Sequence, residues 1–293
     1  MTEVLALRAL GLGDLLTGVP ALRAFRQAWP GARLTLAAPE PLGRWFADLG
    51  VVDAVLPARG LEPLTVRPGR PAPDVAVNLH GSGPRSHRVL EDLRPRRLVA
   101  FRCPEAGFAD GPEWDDDEHE VARWLRLARS VGAGGHPQDL RLDVPAADGR
   151  SGHSGHVVVH PGAASRSRRW PAARWAEVAR ALGRAGHRLV VTGMPDEAED
   201  CATVASAPGA EDHCGRHDLA GLAATVAGAR LVLSGDTGVA HLATATGTPS
   251  VTLFGPVSPG LWGPCIDTDR HLVLWRGTSE ASRPGDPHGS DPD

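Results

Sequence analysis

Residues 234 to 256 read SGDTGVAHLATATGTPSVTLFGP, and they place an acid, a hydroxyl and a histidine (Asp236, Thr237, His241) around the start of a helix. The apolar run 230 to 233 reads as a buried strand, Asp236 or Thr237 as a cap, and 239 to 246 as the helix that Gly247 and Pro249 end. Val251 to Phe254 follows as the next strand, which makes a strand-helix-strand unit of the parallel, crossover kind. Ligands of such sheets sit beyond the carboxyl ends of the strands, where Asp236, Thr237, Gly238 and His241 must lie. The N–H groups that open a helix favour an anion there, phosphate above all. The bland alternative is that Asp236 and Thr237 only cap, and that His241 is a satisfied core histidine.

Four further stretches carry groups that could do chemistry. HPGAASRSRRWPAARW, from His160 to Trp175, leaves a strand through Pro-Gly and presents Arg166, Arg168 and Arg169 before a helix start. Guanidinium pairs with phosphate oxygens in bidentate fashion, so this loop suits a diphosphate; otherwise it is a solvated loop. GLGDLLTGVP, Gly11 to Pro20, follows the first strand. A dinucleotide fingerprint would want a glycine where Leu16 stands, so the glycines are read as a tight turn that carries Asp14 to the start of a helix, as cap, as functional carboxylate, or as both. NLHGSGPRSH, Asn78 to His87, is a similar polar loop after a strand and could contact a sugar or acceptor. WDDDEHE, Trp114 to Glu120, looks like an acidic metal motif, yet it precedes an amphipathic helix whose N-terminal end favours acids, so capping and solvation are preferred.

The elements that must position these groups alternate along the chain. Strand-like runs at Val4 to Ala9, Arg33 to Ala37, Val52 to Leu56, Asp74 to Leu79 and Arg97 to Phe101 are interleaved with helical patterns at 14 to 29, 40 to 49 and 115 to 131. Residues 132 to 155 are rich in Gly, Pro and Ser and read as a linker. The alternation restarts with His156 to His160, helix 171 to 184, His187 to Thr192, and helices near 196 to 205 and 218 to 228. This predicts an α/β fold of two doubly wound parallel-sheet domains, residues 1–150 and 151–275, with a flexible Pro/Gly-rich tail over 276–293.

Composition narrows the partners. The net charge of -4, from 31 basic and 35 acidic residues, gives no footprint for nucleic acid or an anionic membrane. Every basic residue other than histidine is arginine, and Asn78 and Ile266 are alone in their types, a sign of coding bias toward G and C. Cys103, Cys201, Cys214 and Cys265 lie too far apart to read as a zinc site and suggest free thiols. The opening MTEVLALRALGLGD fits neither a signal peptide nor a membrane span, and a cytoplasmic location is expected.

Taken in order, LRALGLGDLLTGVPALRAFRQAWPGA, HEVARWLRLA, HPGAASRSRRWP, TGMPDEAE and SGDTGVAHLATATGTPSVTLFGP resemble glycosyltransferase family 9, the ADP-heptose lipopolysaccharide heptosyltransferases, over nearly the whole chain. The resemblance implies a GT-B fold, two Rossmann-like domains facing across a cleft, with the acceptor held by the first and the nucleotide sugar by the second. It implies inverting transfer of a heptose-like sugar, from an ADP-linked donor, to a hydroxyl of a glycan, glycolipid or small-molecule acceptor. No cofactor or metal is then required, no nucleic acid is a partner, and membrane contact would at most be peripheral. Asp14 would be the general base; Arg168, Asp236, Thr237, Gly238 and His241 would hold the diphosphate; Glu197 or Glu199 would lie near the ribose. Two departures stand out: members often carry lysine where Arg168 stands, and they continue into a closing helix where this chain has its Pro/Gly-rich tail. Alternative functions are a sugar-nucleotide epimerase or hydrolase, and a non-catalytic sugar-nucleotide-binding protein.

Overall fold

A computed structural model describes residues 1–65, 71–144 and 155–277. The expected linker falls partly, and the expected tail almost wholly, outside the described residues. Two compact units divide the chain, Met1–Leu140 and Arg141–Asp293.

Unit 1 runs β1 (Glu3–Leu7), α1 (Leu12–Thr17), α2 (Val19–Ala28), β2 (Arg33–Ala38), α3 (Glu40–Asp48), β3 (Ala54–Pro57), β4 (Val75–Asn78), α4 (Arg85–Glu91), β5 (Arg97–Val99) and α5 (Glu120–Arg129). The sheet order is β3-β2-β1-β4-β5, parallel throughout. Helices cover such a sheet on both faces, so β1 and β4 read almost entirely apolar and are buried along their length apart from Glu3. From β1 the chain steps outward to β2 and β3, then returns to lay β4 on the other side of β1. The strand order therefore reverses between β1 and β4, and a crevice opens beyond their carboxyl ends.

Unit 2 runs β6 (Val157–His160), α6 (Ala172–Arg184), β7 (Leu189–Val191), α7 (Ala198–Ala205), β8 (Ala210–Asp212), α8 (Leu219–Ala227), β9 (Leu231–Gly235), α9 (Gly238–Thr246), β10 (Ser250–Leu253), α10 (Pro259–Trp262) and β11 (His271–Leu274). Its order, β11-β10-β9-β6-β7-β8, repeats the logic, with the reversal between β6 and β9. Val157 and Val159 of β6, Leu189 and Val191 of β7, and Trp175 and Ala179 of α6 form the core on one face of that sheet.

Several elements differ from the sequence reading. The helix expected over 14 to 29 is two helices that meet at Gly18. Pro20 has no N–H to continue the ladder, and a Cβ at Gly18 would come within 2.9 Å of the Arg8 side chain. The helix expected from 115 starts at Glu120. Helices α4 and α10 and strands β8 and β11 have no counterpart in that reading. Both strands are sheet edges: β8 is only Ala-Glu-Asp, while β11 carries a Leu-Val-Leu run of which Leu272 and Leu274 stay exposed.

Candidate active site

In unit 2 the arginine loop follows β6 and the Gly-Asp-Thr-Gly turn follows β9, so the strand order brings both to the same crevice. Arg168 closes a 3-10 turn, Arg166–Arg168, and its Nη1 lies 3.6 Å from Oδ2 of Asp236. Glycine permits the approach. A Cβ on Gly235 would stand 2.9 Å from the Arg168 carbonyl, and one on Gly255 would stand 3.0 Å from that of Ser167. Both side chains of the ion pair are largely buried, yet Arg168 Nε has no hydrogen-bond acceptor, and neither has the buried Ser234 Oγ on β9 a partner. Buried polar groups left in this state fit a site whose ligand completes them.

Thr237 takes the N-cap position of α9 in an extended conformation, but its side chain makes no cap hydrogen bond. Thr237 is thus a cap in position only; Asp236 pairs with Arg168, and Gly238 opens the helix without a side chain over its first turn. His241 sits in that first turn with its ring edge-on to Trp262, 6.0 Å between centroids. Trp262 comes from α10, which the sequence reading lacked; the only signal for it was the Ser-Pro-Gly turn before it.

The TGMPDEAE segment separates the two glutamates. Glu197 is buried, accepts the Met194 N–H at 2.9 Å and lies 3.6 Å from Arg169. It packs on Gly162 of the His-Pro-Gly turn, where any Cβ would collide with its carboxylate. Glu199 is exposed in the first turn of α7. His160, at the end of β6, hydrogen-bonds Thr192 Oγ1 through Nδ1 at 3.0 Å, and burial pushes its pKa down to about 4. Near neutral pH His160 therefore adds no positive charge beside the arginine loop.

In unit 1, Asp14 is the third residue of α1 and half-buried, and α1 has no side-chain cap. Its backbone is fixed from below. The Asp14 carbonyl accepts the Thr17 hydroxyl at 2.8 Å and also Nε of Arg8, a fully buried residue just past β1. Arg8 further donates to the Leu79 carbonyl beyond β4, to Thr17 Oγ1 at 2.9 Å and to Glu120 Oε1 at 3.0 Å, with its guanidinium 4.7 Å from the Trp124 ring. Burial raises the Glu120 pKa, but the charges of Arg8 and Arg123, with hydrogen bonds from Arg8 and Trp124, outweigh it and hold the carboxyl below its ordinary value. One buried cation thus ties the two loops that flank the strand-order reversal. The sequence reading gave Arg8 no role, because nothing local marks an arginine as buried.

The acidic run is engaged elsewhere. Asp116 accepts the Trp114 indole N–H at 2.8 Å, Asp115 accepts the Asp117 N–H at 3.0 Å, and Glu118 pairs with Arg126 at 2.7 Å. The residue that caps α5 is His119, through Nδ1, and not an acid. Among the described residues no group of three or more His, Cys, Asp or Glu side chains could hold a metal ion, and no helix is long and apolar enough to cross a membrane.

Two Rossmann-like units in succession, each with polar loops gathered where its strand order reverses, make a fold of the GT-B type. The sequence model of glycosyltransferase family 9 (heptosyltransferase) matches residues 112–287, and the chain belongs to that family. It is 26% identical to lipopolysaccharide heptosyltransferase 1 of Salmonella typhimurium, over 89% of this chain and 90% of that protein. Among solved structures, the E. coli ADP-heptose LPS heptosyltransferase II superposes with a TM-score of 0.75 at 19% identity, covering 93% of this chain and 90% of that one. The E. coli heptosyltransferase WaaC with ADP superposes at 0.71 and 21% identity, covering 94% of each chain. At those identities the structural likeness speaks for the fold.

Proposed function

We propose that the protein is an inverting glycosyltransferase that moves a heptose-like sugar from an ADP-linked donor to an acceptor hydroxyl. The observation that carries this reading is the Arg168–Asp236 pair at the reversal between β6 and β9, beside the start of α9. Arg168, Asp236, Thr237, Gly238 and His241 then form the diphosphate wall, where guanidinium and first-turn N–H groups offset the charge that develops on the leaving group. Glu197, buried beside the His-Pro-Gly turn, is favoured over the exposed Glu199 as the ribose partner. The similar proteins supply the donor class: one is described as an ADP-heptose heptosyltransferase, another is held with ADP.

In this reading unit 1 holds the acceptor, and Asp14 takes the proton of the acceptor hydroxyl. The hydroxyl oxygen forms its bond to the anomeric carbon from the face opposite the leaving group. The bond from that carbon to the phosphate oxygen breaks, and its electron pair leaves on the nucleoside diphosphate. Base and leaving-group stabiliser are both residues of the chain, so the scheme needs no metal.

Incubation with labelled ADP-heptose, with and without heptose-deficient lipopolysaccharide, tests the proposal. Acceptor-dependent product of inverted anomeric configuration is expected. Acceptor-free conversion would indicate an epimerase or hydrolase, and binding without turnover a silent sugar-nucleotide module; either result overturns the transferase reading.

A further inference from the structure

The polar loop after β4 contains a histidine that the scheme above does not use. His80 follows Leu79, whose carbonyl receives Arg8, and it lies beyond β4 on the far side of the strand-order reversal from Ala9 and the Asp14 turn. The loop is held by Asn78, a fully buried residue that donates to the Gly81 carbonyl at 3.1 Å and to Ser86 Oγ at 2.9 Å, while its Oδ1 accepts the His80 N–H at 3.0 Å. The ring is held as well. Its Nδ1 accepts the backbone N–H of Ala9 at 3.2 Å.

A backbone amide can only donate, so Nδ1 must be the unprotonated nitrogen and the ring proton must sit on Nε2. Burial and the neighbouring Arg8 charge push the His80 pKa down to about 4, so the ring stays neutral in that tautomer near pH 7. The side chain is partly exposed, and its Nε2 is not among the buried nitrogens that lack a partner. With Nδ1 engaged and Nε2 protonated, His80 has no lone pair with which to act as a base. It is a fixed, uncharged donor, braced through Leu79 by the guanidinium that also fixes the Asp14 carbonyl.

We propose that His80 is an acceptor-binding residue whose Nε2–H donates a hydrogen bond to an oxygen of the acceptor glycan, orienting the hydroxyl that Asp14 deprotonates. The inference rests on the function proposed above, because only that reading makes the unit 1 crevice an acceptor site. It divides the labour between the two side chains: Asp14 accepts a proton, and His80 only donates a hydrogen bond.

Two substitutions separate the role of each ring nitrogen. The Asn amide oxygen in His80→Asn falls near the place of Nδ1 and can keep the Ala9 N–H satisfied, while the donor at Nε2 is lost. His80→Gln reaches nearer the place of Nε2 and restores a donor. With ADP-heptose and heptose-deficient lipopolysaccharide, His80→Asn should lower kcat/KM for the acceptor by about 2- to 12-fold, the worth of one neutral hydrogen bond. The KM for ADP-heptose and the melting temperature should hold, and His80→Gln should recover part of the loss. In parallel, nitrogen NMR of the ring should show the Nε2–H tautomer from pH 8 down to 5. Wild-type acceptor kinetics in His80→Asn, or an Nδ1–H or charged ring at pH 7, overturns the assignment. A wild-type protein that transfers nothing from ADP-heptose to the acceptor overturns the proposed function itself, which the NMR readout does not depend on.

Discussion

Arg168 and Asp236 stand 3.6 Å apart at the carboxyl edge of the second sheet, one on each of the two loops that flank its strand-order reversal. Their sequence separation is bridged by three strands and three helices, and the pair exists because β9 returns to lie against β6. The geometry leaves Arg168 Nε without an acceptor, so the guanidinium is held but not saturated.

Replacing Arg168 with Ala should weaken nucleoside diphosphate binding by about 1.5 to 3 kcal/mol, the usual worth of hydrogen bonds to a charged group. Binding of the nucleoside alone should change little, and Arg168→Lys should keep part of the affinity, since a point charge replaces a bidentate fork. Calorimetry on both ligands checks this. Equal losses for nucleoside and diphosphate would remove Arg168 from the phosphate wall.

Asp14→Asn isolates the carboxylate. Because α1 is capped by no side chain, the substitution has no cap to lose, and the melting temperature should be unchanged. Turnover should fall by about 10² to 10⁴, the range for loss of general-base help. Nucleotide affinity measured on the same preparation should match the wild type. A protein that turns over normally would leave the proposed mechanism without its base.

Glu120→Ala leaves Arg8 and Arg123 buried beside an empty place, since both pair with that carboxylate. Removing one member of a buried pair typically costs about 3 to 5 kcal/mol, to be read from urea unfolding. Because Arg8 also fixes the carbonyls of Asp14 and Leu79, the folded fraction should lose kcat while it keeps nucleoside diphosphate affinity. Loss of stability with undiminished kcat would show that Arg8 holds the fold but not the catalytic turn.

Chelation should leave turnover intact. The carboxylates of Asp115, Asp116 and Glu118 already serve the Asp117 N–H, the Trp114 indole and Arg126, and Glu120 serves two arginines. An assay in EDTA, with magnesium or manganese added back, decides the matter. Activity that disappears and returns with the metal would make the acidic run a ligand site.

Stability should already fall between pH 7 and 5, above the ordinary carboxylate range. The folded His160 has a pKa near 4 against 6.5 for the free side chain, because burial disfavours its charged form. Between those values the unfolded chain binds a proton that the folded one does not, so stability is present above pH 6.5 and lost as pH falls toward 4. One such histidine removes about 2 kcal/mol between pH 7 and 5. The acid sensitivity of His160→Asn, compared by urea unfolding at the two pH values, should be smaller by about that amount. An identical pH slope in the variant would mean that His160 titrates normally in the folded state.

The sequence determined a great deal here. Alternating apolar runs and helical spacing are local signals, so the parallel α/β class, two Rossmann-like units and the loops after β1, β6 and β9 were all legible, and the family followed from the motifs in those loops. What it could not carry was adjacency. Strand β8, Ala-Glu-Asp, is an edge too short and polar to leave an apolar run, and α1 and α2 looked continuous until Pro20 and the Arg8 side chain split them at Gly18. Glu197 and Glu199 are indistinguishable two residues apart, and only packing on Gly162 buries the first and leaves the second in water. The arginine that braces Asp14, and the amide that fixes the tautomer of His80, come from partners 6 and 71 residues away. Burial and hydrogen-bond partnership across strands that are distant in the chain are properties of the sheet order, which exists only once the chain has folded.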